Sequence, residues 1–296
     1  MTEPSLRTIV KRALRAWTDL QDARILVAVS GGPDSMALLD VMTSLHGEVV
    51  AHGVDHGLRT EARAELDLAE ALARDRGVTF SRSRVKVARG GNLQARAREA
   101  RWKALVLAAR KSDARAIATA HHADDRAETM LIRLLQGSGT RGLAVMPPRA
   151  PVAGARELEV VRPLLRARKR DVLTHLERHS VTYARDPSNE DPRYLRTRVR
   201  RELLPLLESL DGGIVGHLEA LADELCAPGR PAEAQPSWPF ALPRRTQLAI
   251  QALLGSGSRT ARVWLPGGLV LSRDGRARSR GDKSPKVSRS GESRPR

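Results

Sequence analysis

From Arg24 to Val161, short apolar β-rich runs alternate with longer segments of helical spacing, and this alternation limits the fold more than any other feature. Arg24–Val29 reads as a buried strand, Pro33–Leu45 as a helix and Val49–Val54 as a second strand. Thr60–Arg76 reads as a helix capped by Thr60 and closed by Gly77. Val85–Val87 is a short strand candidate, followed by a long helix over Asn92–Arg110, a strand over Ala114–Ala120, a helix over Asp124–Leu135 and a last strand over Leu158–Val161. Strands joined through helices cannot pair as hairpins, so the expected fold class is α/β with a mainly parallel, doubly wound sheet. Such sheets are covered on both faces and take ligands beyond the carboxyl ends of their strands. A helix over residues 5–20 precedes the sheet, with Leu6, Ile9, Val10, Ala13, Leu14 and Trp17 on one stripe.

Beyond Arg168 the pattern turns helical, over Lys169–Ser180, Leu195–Leu210 and Ile214–Cys226. We expect a first domain over 1–210 and a small domain over 211–280, with a Pro- and Ala-rich linker at 228–239 and a hairpin in LPGGLVLSRDGRAR. Residues 281–296 are a basic Ser/Arg/Pro-rich tail without an apolar face and read as disordered. Net charge is +17, with 51 Lys+Arg against 34 Asp+Glu, which favours a polyanionic partner. Cys226 is the one cysteine, so internal disulfides, zinc ribbons and cysteine-held clusters are excluded. No apolar run approaches the ~20 residues of a membrane helix, and the N-terminus has too short an apolar stretch for a secretory signal. A cytoplasmic protein with no membrane partner is expected; the oligomeric state is not legible.

Ser30-Gly31-Gly32-Pro33-Asp34-Ser35 joins the first strand to its helix. The glycines let backbone N–H groups approach an anion, Pro33 suits a first helical turn, and the helix N-terminus offers free donors to phosphate. Ser30 and Ser35 add hydroxyls. Asp34 repels phosphate unless a divalent metal lies between them. The plainer alternative is an ordinary strand-to-helix turn capped by Ser30 or Asp34. A second candidate, His121-His-Ala-Asp-Asp-Arg-Ala-Glu128, starts where the Ala114–Ala120 strand ends, at the same sheet edge. Asp124 and Glu128 lie four apart on one helix face, where a metal or general base can be built. The oxygen-rich set suits Mg²⁺ better than zinc. Here the alternative is helix capping by Asp124 or Asp125 with solvated acids in the first turn.

The loop resembles the SGGxDS signature of the PP-loop ATP pyrophosphatases, which split ATP between the α and β phosphates. With HHADDRAET, the stretches VDHGLR (54–59), ARAREARW (95–102), GSGTRGLAVM (137–146) and DPSNEDPRYLRTRVRRELLPLL (186–207) resemble the tRNA(Ile)-lysidine synthetase family over roughly residues 20–210. LPGGLVLSRDGR looks like the end of that family's small domain, and the further C-terminal domain of longer members is not matched. The resemblance implies a PP-loop ATPase sheet of the adenine nucleotide alpha-hydrolase type. It implies a ligase that uses ATP and Mg²⁺ to join free L-lysine to the wobble cytidine of an isoleucine tRNA with a CAU anticodon, through an adenylated cytidine. Ser30, Gly31, Gly32, Pro33, Asp34 and Ser35 would bind ATP, with Asp34 on the Mg²⁺. His121, Asp124 and Glu128 would surround the cytosine and the lysine, and Arg101 would contact phosphate or the adenylated intermediate.

Basic residues cluster at 82–103, where Glu99 is the lone acid, at 162–170 and at 193–201, and all three clusters suit phosphate contacts. Trp102 and Tyr194 are candidates for base stacking, and equally for core. The family commonly has Gln, Tyr, Asn and Gly where Arg126, Trp102, Thr197 and Val145 stand. Arg126, beside the acidic face, is expected to alter lysine or metal binding. Rival readings are another PP-loop tRNA-modifying enzyme such as a sulfur inserter, a catalytically idle RNA-binding protein, or a small-molecule synthetase. Sulfur insertion generally needs paired cysteines, which this chain lacks.

Overall fold

Ile25, Val27 and Val29 of β1 (Ile25–Val29) pack into one apolar cluster while Leu26 and Ala28 pack into another, the period-2 alternation of a strand buried on both faces. The computed structural model in which this is seen describes residues 4–55, 57, 62–85, 93–184, 194–227 and strands at 262–265, 269–272 and 277–279. The six-stranded sheet has the order β3-β2-β1-β4-β6-β5. Its other members are β2 (Val49–Asp55), β3 (Thr79–Arg84), β4 (Ala116–Ala118), β5 (Arg149–Val152) and β6 (Ala155–Val161). All pairs are parallel except β5 with β6. The expected α/β class is therefore observed.

One face carries α1 (Leu6–Ala16), α2 (Pro33–Leu45), α3 (Ala62–Asp75) and α7 (Lys169–Arg178); the other carries α4 (Leu93–Lys111). After β1 the chain moves outward through β2 to β3, then α4 returns it to β4 on the far side of β1. That reversal opens a crevice between the carboxyl ends of β1 and β4. Helix α5 (Ala123–Leu135) leaves from the β4 side of the crevice. Leu195–Leu210, read as one helix, is α8 (Leu195–Arg198) and α9 (Leu204–Leu210) joined by a π-helical turn over Val199–Leu203.

The strand on this side is Thr79–Arg84; of the candidate Val85–Val87, residues 86 and 87 lie outside the described residues. This edge strand is mostly exposed and carries no apolar run, so periodicity does not reveal it. The outer strand β5 was also missed; it contains Pro151, which an edge position tolerates. The expected Thr60 cap, the linker at 228–239 and the tail at 281–296 lie outside the described residues.

The chain divides into two units, 1–132 with 144–230, and 133–143 with 231–296. Helix α10 (Ile214–Cys226), read as part of the 211–280 domain, belongs to the first unit, where Val215, Leu218 and Ala222 are buried. The second unit contains a short helix, α6 (Thr140–Leu143), and an antiparallel sheet of β7 (Arg262–Leu265), β8 (Leu269–Ser272) and β9 (Ala277–Ser279). The hairpin expected in LPGGLVLSRDGRAR is observed as β8–β9, which pair antiparallel.

Asp40 is buried on α2 among apolar neighbours and would be costly alone. His175 Nε2 of α7 lies 2.8 Å from its Oδ2, and Arg76 Nε, just past α3, donates to Oδ1 at 2.7 Å. Burial would raise the carboxyl pKa, but the bonds to His175 and Arg76 outweigh it and hold the pKa low. A depressed carboxylate stabilises above its unfolded pKa and loses that contribution as pH falls through the folded one. Asp40→Ala should cost about 3 kcal/mol in denaturant titrations at neutral pH, with the difference from the parent shrinking in acid.

Candidate active site

Ser30 follows β1 and turns its backbone inward. Ser30 N donates to Ser35 Oγ at 3.1 Å, Ser35 Oγ donates to Gly32 O at 3.0 Å, and the two hydroxyls are 3.2 Å apart. Pro33 occupies the first turn of α2, where it displaces no hydrogen bond. Gly31 has φ +81°, and a Cβ there would meet Glu65 O at 2.3 Å. The loop thus presses against the backbone of α3, and no other residue type fits at 31.

Asp34, in the first turn of α2, receives Lys169 Nζ at 2.5 Å and faces His122 Nε2 at 3.7 Å. His122 is buried and also lies 3.4 Å from Asp124 and 3.5 Å from Asp125. Burial alone would lower its pKa, but Asp124, Asp125 and Asp34 outweigh burial and raise it. Its neighbour behaves oppositely. His121 sits 2.9 Å from Thr119 Oγ1, and burial, aided by Arg162, Arg98 and Arg101 against Asp125, lowers its pKa to about 4. One histidine of the pair favours the cation and the other stays a neutral imidazole.

The acids of α5 divide their work. Asp125 Oδ2 accepts the His122 N–H at 3.2 Å, capping α5 as the plainer alternative expected. Asp124 instead reaches α7: it accepts Lys169 N–H at 2.7 Å and Arg168 Nη2 at 2.9 Å. A carboxylate at a helix N-terminus meets unpaired donors and the positive end of the dipole. Burial would raise the Asp124 pKa, but His122 and Arg168 hold it far below the carboxylate range. Glu128, 1% exposed, is held by Arg200 Nε at 2.5 Å and Arg196 Nε at 2.9 Å. Arg196 also bonds Asp125 at 2.8 Å, so Glu128 shares its partner with Asp125 and not with Asp124.

The structure thus brings Asp34, Asp124 and the loop into one ion-paired cluster, with Glu128 linked to it through Asp125. It sets His121 and Arg101 together on the α4 side. His122, Arg168, Lys169, Arg196 and Arg200 were given no individual role from the sequence, and Asp125 was weighed only as a helix cap. The three arginines and the lysine lie in basic clusters assigned to phosphate contacts, and the structure corrects that assignment: they neutralise carboxylates of the chain itself. Arg126 is corrected as well. Fully buried, it turns away from the acids and donates to Val145 O at 3.1 Å and Asp223 at 2.7 Å, pinning α10 to α5. Trp102 packs against the α4-side core, whereas Tyr194 is exposed. Among the described residues, no group of three or more His, Cys, Asp or Glu side chains could hold a metal by itself. Asp34 suits a Mg²⁺ that also binds substrate phosphates, a common arrangement for that ion.

The family pattern described as "PP-loop domain" matches residues 5–207, which contain the loop, the crevice and α5. The tRNA(Ile)-lysidine synthase of Novosphingobium aromaticivorans is 39% identical over 221 residues, 74% of this chain and 68% of that one. The chain belongs to the tRNA(Ile)-lysidine synthase family of PP-loop proteins. The synthase of Pseudomonas aeruginosa is 37% identical over 281 residues, covering 88% of this chain. The match spans 62% of that relative's length, and 42% of the Thermus thermophilus synthase. Among solved structures, a U34-tRNA thiolase of Methanococcus maripaludis superposes with TM-score 0.63 at 17% identity, covering 80% of this chain and 84% of that one. It shares the fold. Membership in the PP-loop family implies that the chain binds ATP.

Two outcomes follow from this geometry. Gly31→Ala should lower stability by at least ~1 kcal/mol from the left-handed backbone alone and weaken ATP binding measured by calorimetry. For His121, the unfolded chain takes up a proton near pH 6.5 that the folded chain refuses until about pH 4, so stability falls as pH drops through that window. Thermal melts of His121→Gln should show a shallower loss than the parent over the same range.

Proposed function

We propose that this chain ligates lysine to C2 of the wobble cytidine in isoleucine tRNA with a CAU anticodon, consuming ATP. The observation that carries this reading is a complete Ser30–Ser35 loop facing the α5 acids across one crevice, in a chain that matches lysidine synthases through both. The cytidine C2 oxygen attacks the α-phosphorus of ATP, and pyrophosphate leaves. The lysine side-chain amine then attacks C2, and AMP departs with the oxygen.

Each step sets a demand that residues of the crevice suit. The loop N–H groups and the α2 N-terminus receive phosphate oxygens. Mg²⁺ on Asp34 and the phosphates would neutralise the charge of the leaving pyrophosphate. Free lysine, with a side-chain pKa of ~10.4, arrives as an ammonium and must lose a proton before attack. Asp34 already accommodates a primary ammonium, that of Lys169. The buried carboxylates Asp125 and Glu128 offer further counter-ions once Arg196 or Arg200 yields. His121, kept neutral by burial, suits a hydrogen bond to the cytosine. Arg101, beside it, suits a phosphate of the RNA that carries the cytidine. The small unit and the basic tail are proposed to add tRNA contacts. Among the described residues no helix is long and apolar enough to cross a membrane, and a cytoplasmic site of action fits a tRNA substrate.

Purified protein given ATP, Mg²⁺, labelled lysine and bulk tRNA should move label into tRNA with stoichiometric AMP. AMP release without lysine, or labelling without ATP, would sink the reading. Asp34→Asn should abolish transfer while tRNA retention on filters stays close to that of the parent.

A further inference from the structure

The cations at this strand edge fall into two groups. Arg168, Lys169, Arg196 and Arg200 each meet a carboxylate at hydrogen-bond distance. Among the described residues Arg98, Arg101 and Arg162 meet none, and the charges that act on Arg98 and Arg101 are those of other arginines.

Topology brings these three together. Leu158 and Val160 of β6 pack on the α4 side, and Val161 packs on the other. Alternation therefore sends Arg162, the next residue, out on the α4 side at the carboxyl edge. Helix α4 starts at that edge, and Arg98 and Arg101, three residues apart, share a face of its first half. Arg162 is only partly committed. Its Nη1 donates to Pro147 O at 2.6 Å, while its Nε is buried and has no partner. Burial and repulsion from neighbouring arginines act together to disfavour charge on all three guanidiniums. Clustered, partly desolvated cations without counter-ions are unfavourable in a fold. An anionic ligand offsets that cost, and a guanidinium fork matches phosphate oxygens.

We propose that Arg98, Arg101 and Arg162 form a receiving site for a backbone phosphate of the RNA substrate, next to the nucleotide that enters the crevice. The proposal rests on the tRNA reading above and adds to it where the strand is gripped. The phosphate belongs to the RNA and not to ATP because of where the arginines stand. β6 lies two positions from β1, roughly 10 Å across the sheet, and α4 covers the face opposite α2, whose N-terminus holds the loop. Arg98 is exposed, so a polymer can lie across it. His121 stands between the two sites on β4's carboxyl side, and a base whose phosphate is held at Arg162 turns towards that histidine.

The test uses full-length protein with Arg98→Gln, Arg162→Gln and the double change, bulk tRNA in filter binding over a series of KCl concentrations, and ATP in calorimetry. The double variant should lose about tenfold or more in tRNA affinity, its log K against log salt slope should fall by about 0.7 per lost contact, and its ATP affinity should stay within about twofold. Unchanged tRNA affinity and slope would overturn the proposal. Loss of ATP affinity with tRNA binding intact would assign the phosphate to the nucleotide and also overturn it. Should Arg162→Gln fail to fold, Arg98→Gln on its exposed helix face must show the tRNA effect by itself, and its absence overturns the site. A parent protein that binds tRNA with the full salt slope yet transfers no lysine defeats the ligase reading and leaves the phosphate site standing.

Discussion

The Asp124 carboxylate holds the crevice together. One oxygen takes the first N–H of α7 and the other takes the Arg168 guanidinium, so a residue in the first turn of α5 fixes the start of a helix on the sheet's flank. From that anchor Lys169 reaches Asp34 and Arg168 reaches Glu208 of α9. Loop, α5, α7 and the helical region are thereby joined through buried or half-buried charge. Such contacts add little net stability over apolar packing, but breaking one leaves its partner stranded. They fix geometry more than they lower energy.

Much of this was legible in the residues. The strands β1, β2 and β4 are buried on both faces and read as apolar runs; the Gly-Gly-Pro-Asp turn and the α5 acids mark the two sides of the crevice. What escaped did so for physical reasons. β3 and β5 lie at the edges, where exposure erases the apolar run and a proline is tolerated. The division between His121 and His122 depends on which charges surround each ring: Asp124 and Asp125 are close in sequence, but Arg98, Arg101, Arg162 and Asp34 arrive from far away.

Net charge was the least reliable guide. A surplus of arginine reads as an offer to a polyanion, yet Arg126, Arg168, Arg196 and Arg200 are spent on the protein's own acids. Sequence proximity cannot separate them from Arg98 or Arg162, because their partners lie 40 to 100 positions away. Only pairing tells a cation that builds the site from one left to meet a ligand.

The π-helical turn at Val199–Leu203 closes with a bond from Leu204 N–H back to Val199 O. It contains one residue more than an α-helical turn would; Arg196 lies before it, Arg200 inside it, and the helix that carries Glu208 after it. Removing a residue would swing everything upstream by about 100° relative to α9. Arg196 would leave Glu128 and Asp125 with no change in its own identity. The spacing of this segment is therefore as much an inherited property as its letters, and a single-codon deletion here would strip the acids of their partners more thoroughly than any one substitution.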